Sequence, residues 1–134
     1  MSEKYGNIVI LVLCRRVIAN LLAEALEKHA HMVVYAEYDY KNVKSTAMVR
    51  HPNIALVEIP ERSGTPALDA LAVCNEILEA SPGCKIMLLC PENDKGSVNV
   101  CVKAKQQAQI DDFLFYDSTV DYLVSKLEAM ITHE

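Results

Sequence analysis

The sequence predicts a single α/β domain, residues 1–134, built on a five-stranded parallel sheet that is doubly wound, with helices on both faces. Three observations predict it. Short apolar runs rich in β-branched residues alternate strictly with segments whose apolar residues recur at helical spacing, five of each. The runs are continuously apolar rather than alternating, as in strands covered on both faces. No linker, internal repeat or low-complexity tract interrupts the alternation, and such a pattern means parallel strands joined by right-handed crossovers. A chain of 134 residues is long enough to bury a core of its own.

The elements follow in order. "NIVILVL" is the first strand, and a central one. From Arg16, the residues Val17, Ile18, Leu21, Leu22, Ala25 and Leu26 form the buried stripe of a helix whose polar side carries Asn20, Glu24 and Glu27. "HMVVYAEY" is the second strand; Val43, Ala47 and Met48 outline a weaker helix that His51-Pro52 stops. "NIALVEI" is the third strand. Thr65-Pro66 starts a helix, with threonine as cap and proline in the first turn, and Ser81-Pro82-Gly83 ends it. "CKIMLLC" is the fourth strand, "PENDKG" a loop, and a helix runs from about Ser97 to Ala108. "DFLFY" is the fifth strand, and Ser118 with Asp121 starts a last helix buried through Val120, Leu123, Val124, Leu127 and Ile131.

Composition removes whole classes of function. The residues are 51% hydrophobic and the net charge is −5, which excludes disorder and gives none of the basic footprint of a nucleic-acid-binding surface. The apolar run after Glu3 and Lys4 is too short to span a membrane and has no small-residue cleavage site behind it, so a cytoplasmic location is expected. Cys14, Cys74, Cys84, Cys90 and Cys101 form no CxxC pair and sit mostly in apolar patterns, which reads as packed, reduced thiols. His29, His31, His51 and His133 lack metal-ligand spacing, and there is no glycine-rich nucleotide loop; no metal and no cofactor is expected. Tyr35, Tyr38 and Tyr40 read as edge packing.

In open parallel sheets ligands bind at the carboxyl ends of the strands, near the switch in strand order. That selects Leu13, Cys14 and Arg15 after the first strand, Glu58 after the third, Leu89 and Cys90 after the fourth and Tyr116 after the fifth. With these positions marked, the chain from "NIVILVL" to "KLEAMI" resembles the receiver domains of two-component response regulators, above all in "HPNIALVEIPERSG" and "QIDDFLFYDSTVDYLVSKLEAMI". The second stretch is similar to receivers attached to helix-turn-helix DNA-binding domains. The resemblance implies a CheY-like, flavodoxin-like sheet of strand order 2-1-3-4-5.

It also implies a set of active positions, and this sequence departs at each. The acid pair that holds magnesium in the family falls on Leu13 and Cys14, the phospho-accepting aspartate on Glu58, the hydroxyl on Leu89 and the lysine on Tyr116. A leucine and a thiol supply no oxygen ligand, so no magnesium is expected. Without metal and cation the charge that develops in phosphoryl transfer is not neutralised. Arg15 and Arg16 stand at a helix N-terminus, where cations oppose the dipole, so a negative partner is expected: Glu58, a bound anion, or solvent alone.

The expectation is a pseudo-receiver acting in phosphorelay signal transduction through protein contacts, as the regulatory domain of a transcription regulator. Its partner, or a second copy, would dock on the face formed by the fourth helix, fifth strand and fifth helix, where Tyr122 and Lys126 stand. One alternative is a phosphocysteine carrier or phosphatase-like enzyme using Cys14, though "CRRVIAN" lacks both the glycines that wrap an anion and the arginine six residues on. Another is an unorthodox receiver that is still phosphorylated.

Overall fold

A computed structural model describes residues 7–132. The expectations that fall on Glu3 and Lys4 and on His133 lie outside the described residues. The elements are β1 (Ile8–Val12), α1 (Arg16–His29), β2 (Val33–Glu37), α2 (Val43–Arg50), β3 (Ile54–Glu58), α3 (Pro66–Ala80), β4 (Lys85–Cys90), α4 (Lys95–Gln106), β5 (Asp112–Phe115) and α5 (Val120–Thr132). All pairings are parallel and the sheet order is β2-β1-β3-β4-β5, the doubly wound arrangement expected from the alternation.

Two cores sandwich the sheet, sorted by the two-residue period of the strands. Ile10 and Val12 of β1, Ala55 and Val57 of β3 and Ile86, Leu88 and Cys90 of β4 face α2, α3 and α4. Val9, Leu11 and Leu13, then Ile54 and Leu56, then Met87 and Leu89, face α1 and α5. Glu58 follows Ile54 and Leu56 in this alternation and so points to the α1 side. The sheet order reverses between β1 and β3, so the crevice at their carboxyl ends is the place where Glu58 meets the turn into α1.

Several boundaries and faces differ from the sequence expectation. In α1 the buried line is Ala19, Leu22 and Leu26, whereas Val17 is 71% and Leu21 49% exposed. A helical residue advances about 100°, which turns Leu21 and Val17 roughly 100–140° from Leu22. The apolar stripe is wider than the face the sheet can cover. Met48 of α2 is likewise exposed while Val43 and Ala47 are buried, and α2 stops at His51, whose left-handed backbone (φ 49°) leads into Pro52.

Thr65 makes no side-chain cap on α3; Pro66 alone sets the first turn. The far end of α3 is tied down by Ser81, whose buried hydroxyl donates to the Pro52 carbonyl at 3.1 Å. Helix α4 begins before Ser97 because Asp94, inside the segment read as loop, accepts from the Gly96 and Ser97 amides at 3.1 and 3.3 Å. It ends correspondingly early, at Gln106. The cap of α5 is Thr119 rather than Ser118: its Oγ1 accepts from the Tyr122 amide at 3.1 Å, while the Ser118 amide closes a turn onto the Phe115 carbonyl.

The orientation of α1 is tested by two substitutions in urea denaturation. Leu22→Ala, at a fully buried site, is expected to cost about 2–5 kcal/mol. Val17→Ser is expected to change stability by less than about 0.5 kcal/mol, and equal losses would refute the buried face assigned here.

Candidate functional site at the carboxyl ends of the strands

Glu58 is the last residue of β3 and is only 1% exposed. A buried carboxylate demands partners, because desolvation costs several kcal/mol unless charge and hydrogen bonds replace water. The turn from β1 into α1 supplies them. Glu58 Oε1 accepts from the Cys14 amide at 3.0 Å and, more weakly, from the Arg15 amide at 3.4 Å. Its Oε2 pairs with Arg15 Nε at 2.7 Å. Arg15 is the N-cap position of α1 and makes no side-chain cap, and the first turn of the helix contains no acid. Glu58 therefore does from across the sheet what a capping carboxylate does locally: it meets free amides and the positive end of the helix dipole.

The rest of the crevice closes around this pair. The Arg15 guanidinium lies 4.0 Å from the centre of the Tyr116 ring, a cation–π contact that leaves its Nε free for Glu58. The Tyr116 hydroxyl donates to the Ile59 carbonyl, so the end of β5 is fastened to the residue after β3. Tyr40, from the loop after β2, donates its hydroxyl to the Glu58 carbonyl at 2.6 Å. Burial, reinforced by the nearby Glu58 charge, raises the Tyr116 hydroxyl far above its ordinary value. Burial does the same for Tyr40. Both remain neutral donors at physiological pH. Leu13 is fully buried beneath α1, and Leu89, opposite Glu58 in the β3–β4 register, accepts the Ile59 amide through its carbonyl at 2.8 Å.

Arg16 is elsewhere: its guanidinium stacks 4.0 Å from the centre of the Tyr38 ring. Arg50 stacks in the same way on Tyr35, at 4.4 Å. Sequence reasoning read the tyrosines as edge packing and missed these pairings. Tyr40's role was hidden because its partner is a backbone carbonyl 18 residues away. The sequence offered only its place at a strand end.

Cys14 corrects an expectation. It is exposed, not packed, and borders an open cleft of about 310 Å³ with Asp39, Tyr40, Pro60 and Arg62. Exposure does not make it reactive. The strand ends desolvate one side of the thiol and Glu58 repels its charged form, so its pKa is raised rather than lowered. The other four cysteines are buried as expected.

Magnesium requires near-octahedral oxygen ligation. At the strand ends the crevice offers a leucine, a thiol and one carboxylate already bound to a guanidinium, and Asp39 at the edge of the cleft has an oxygen accepting from the Lys41 amide; this set does not fit that ion. Among the described residues, no group of three or more histidine, cysteine or acidic side chains is placed to hold a metal.

The face that carries Tyr122 and Lys126 is organised by one carboxylate. Asp112 of β5 receives Lys105 of α4 at 3.0 Å and Lys126 of α5 at 3.4 Å. Burial opposes ionisation of Asp112, but the Lys105 hydrogen bond, the Phe113 amide and both lysine charges outweigh it and hold the carboxyl below its usual value. Tyr122 is 49% exposed on the same helix as Lys126.

A scan against protein-family models finds no match, and a search of curated proteins finds none. Solved structures do match. A response regulator from Thermotoga maritima superposes with a TM-score of 0.76 at 20% identity, covering 95% of this chain and 98% of that one. A CheY-like response regulator receiver domain protein from Methanospirillum hungatei JF-1 gives 0.74 at 13% identity, with 94% of each chain covered. The fold is that of response regulator receiver domains. The receiver fold also appears in a structure described as a novel family of redox sensors in the streptococci evolved from two-component response regulators, with a TM-score of 0.74 at 18% identity over 94% of this chain and 51% of that one. In a receiver fold, the C-terminal crevice of β1 and β3 is where Glu58 and Arg15 now sit. No helix among the described residues is long and apolar enough to cross a membrane.

Glu58→Gln keeps the size and an acceptor oxygen but removes the charge that Arg15 meets. The expected loss is about 1–3 kcal/mol at neutral pH and low salt, measured by chemical denaturation. The loss should persist in part at high salt, because Glu58 is shielded from the ions that screen a surface pair. An unchanged midpoint would show that the pair contributes nothing to the fold.

Proposed function

We propose that the chain is a degenerate receiver: a receiver fold that signals through protein contacts without metal-dependent phosphoryl transfer. One observation carries this reading, the saturation of the Glu58 carboxylate by Arg15 Nε and the Cys14 and Arg15 amides. A phosphoryl acceptor needs a free oxygen and a metal or cation to neutralise the developing charge. Here Oε2 is held by a guanidinium and Oε1 by backbone amides. Leu13 and Cys14 stand where oxygen ligands would be needed, Leu89 where a hydroxyl would be, and Tyr116 offers a neutral phenol in place of a lysine. Arg15 thus acts as a built-in cation, holding the crevice in one arrangement without a signal. The redox sensors among the structural neighbours are described as evolved from response regulators, which supports the idea that this fold can serve other inputs.

The same reasons weigh against Cys14 as a phosphoryl carrier or phosphatase nucleophile. The thiol is raised in pKa, and the amides of the turn after it are turned toward Glu58 rather than toward an incoming anion.

The output of such a domain is assigned to the face of α4, β5 and α5. It would take a protein partner or a second copy, in a cytoplasmic regulator of transcription whose DNA-binding function lies outside this domain. Asp112 locks the three elements into one surface, and Tyr122 is an exposed aromatic of the kind that anchors interfaces.

Incubation with a small acyl phosphate and magnesium, followed by intact-mass measurement, is expected to leave the mass unchanged. A stable gain of one phosphoryl group that disappears in Glu58→Gln would overturn the reading. For the output face, Tyr122→Ser combined with Lys126→Glu is expected to lower the association state seen in sedimentation velocity without loss of helical circular dichroism. If the unsubstituted protein stays monomeric at high concentration, self-association through this face is refuted.

A further inference from the structure

Strand β2 is an edge of the sheet, paired with β1 on one side only. The Val33 amide donates to the Asn7 carbonyl at 2.8 Å, and the Glu37 carbonyl accepts from the Leu13 amide at 3.0 Å. Backbone groups alternate in direction along a strand, so Val33, Tyr35 and Glu37 turn theirs to β1 while the N–H and C=O of Val34 and Ala36 face outward. Exposed edges are ordinarily blunted by charge, proline or brevity. The other edge of this sheet follows that rule: β5 has 4 residues and begins at Asp112, onto which Lys105 and Lys126 are drawn. β2 does not follow it. Its sequence is "VVYAE", without proline and with charge only at its last residue.

We propose that the β2 edge binds an extended acidic segment of a partner protein, taken up as an added strand beside Val34 and Ala36, with carboxylates three residues apart meeting Arg50 and Arg16. The inference is independent of the roles proposed above for Glu58 and for the face of α4, β5 and α5.

Both sides of the edge carry the same device. Tyr35 lies on the α2 side, where the Arg50 guanidinium stacks 4.4 Å from its ring centre. Tyr38 packs against the core under α1, and Arg16 stacks on it at 4.0 Å. Among the described residues neither guanidinium is paired with a carboxylate. A guanidinium held flat on a ring keeps the N–H groups at its rim, the fork that recognises a carboxylate. In an extended segment, residues three apart point to opposite faces and lie about 10 Å apart along the strand. Tyr35 and Tyr38 stand in that relation. On the α2 side a cleft of about 330 Å³, lined by Tyr35, Glu37, Thr46, Val49 and Arg50 among others, has room for side chains of the added strand. Val49, 69% exposed, gives it an apolar wall. The acids beside the edge are already engaged: Glu37 accepts from the Thr46 hydroxyl at 2.6 Å and Asp39 from the Lys41 amide at 2.8 Å. A second copy fits less well. The two-fold antiparallel register that uses both Val34 and Ala36 sets Tyr35 opposite its own copy, which brings two Arg50 cations onto one face, and like charges there are destabilising.

The test titrates the full chain into a fluorescein-labelled peptide of alternating threonine and valine that carries two glutamates three residues apart, read by fluorescence anisotropy at low salt. Saturable binding is expected, weakened about fivefold or more by Arg50→Gln and by Arg16→Gln. Binding should be lost when the glutamates of the peptide are replaced by glutamine, or when its central amides are N-methylated. Ala36→Pro removes an outward N–H where an edge strand accepts proline, and should abolish binding with circular dichroism unchanged. The N-methylated peptide puts the same question to the unsubstituted protein, so the answer does not depend on the folding of that variant. Absence of saturable binding, binding that survives N-methylation, or a dimer of the chain in sedimentation velocity that Ala36→Pro dissociates would each defeat the proposal.

Discussion

Everything at the functional end of this molecule depends on one buried charge and the cation that neutralises it. Glu58 sits at the end of the central β3 strand, where alternation along the sheet leaves it no route to water. Its carboxylate organises the turn between β1 and α1: two amides point at it, and Arg15 is drawn back over the crevice to meet it. Once Arg15 is in place its flat face needs cover, and the Tyr116 ring supplies it. Tyr116 in turn binds the backbone just past Glu58, so the chain of contacts closes on itself.

Such a closed network has a mechanical consequence. The ends of β1, β3 and β5 and the loop after β2 are joined by a charge pair, a cation–π contact and two tyrosine hydroxyls bound to carbonyls. Deleting one member leaves another buried group without a partner, which is why breaking a buried pair costs more than the pair itself is worth. Under the function proposed, that rigidity replaces a switch: the arrangement is held by covalently attached groups rather than by a ligand that comes and goes.

A second polar centre lies on β5, where Asp112 draws lysines from α4 and α5 onto one strand. Exposed lysine pairs contribute little, but Asp112 is mostly covered and receives both, so the three elements present a common surface instead of sliding independently. The two centres are joined through β5 itself, which begins at Asp112 and ends one residue short of Tyr116.

The sequence alone determined the architecture. Continuous apolar runs such as "IVILV" and "IALV", short and separated by segments of helical spacing, read as strands covered on both faces, and the strict alternation means parallel connections. It also marked Leu13, Cys14, Glu58, Leu89 and Tyr116 as strand ends, because that follows from element order. What only the tertiary structure decided were the choices that spacing leaves open. Arg15 and Arg16 are adjacent and chemically identical, and the direction of the chain leaving β1 sends one to Glu58 and the other to Tyr38. Cys14 closes an apolar run yet lies on the surface, because the strand has ended two residues earlier, at Val12, and the chain is turning outward. The stripe on α1 named six candidates, and the width of the sheet beneath left Val17 and Leu21 in solvent. Helix caps moved for the same reason: Asp94 and Thr119 act as caps through where their oxygens point relative to free amides, a fact of three-dimensional direction that residue order does not contain.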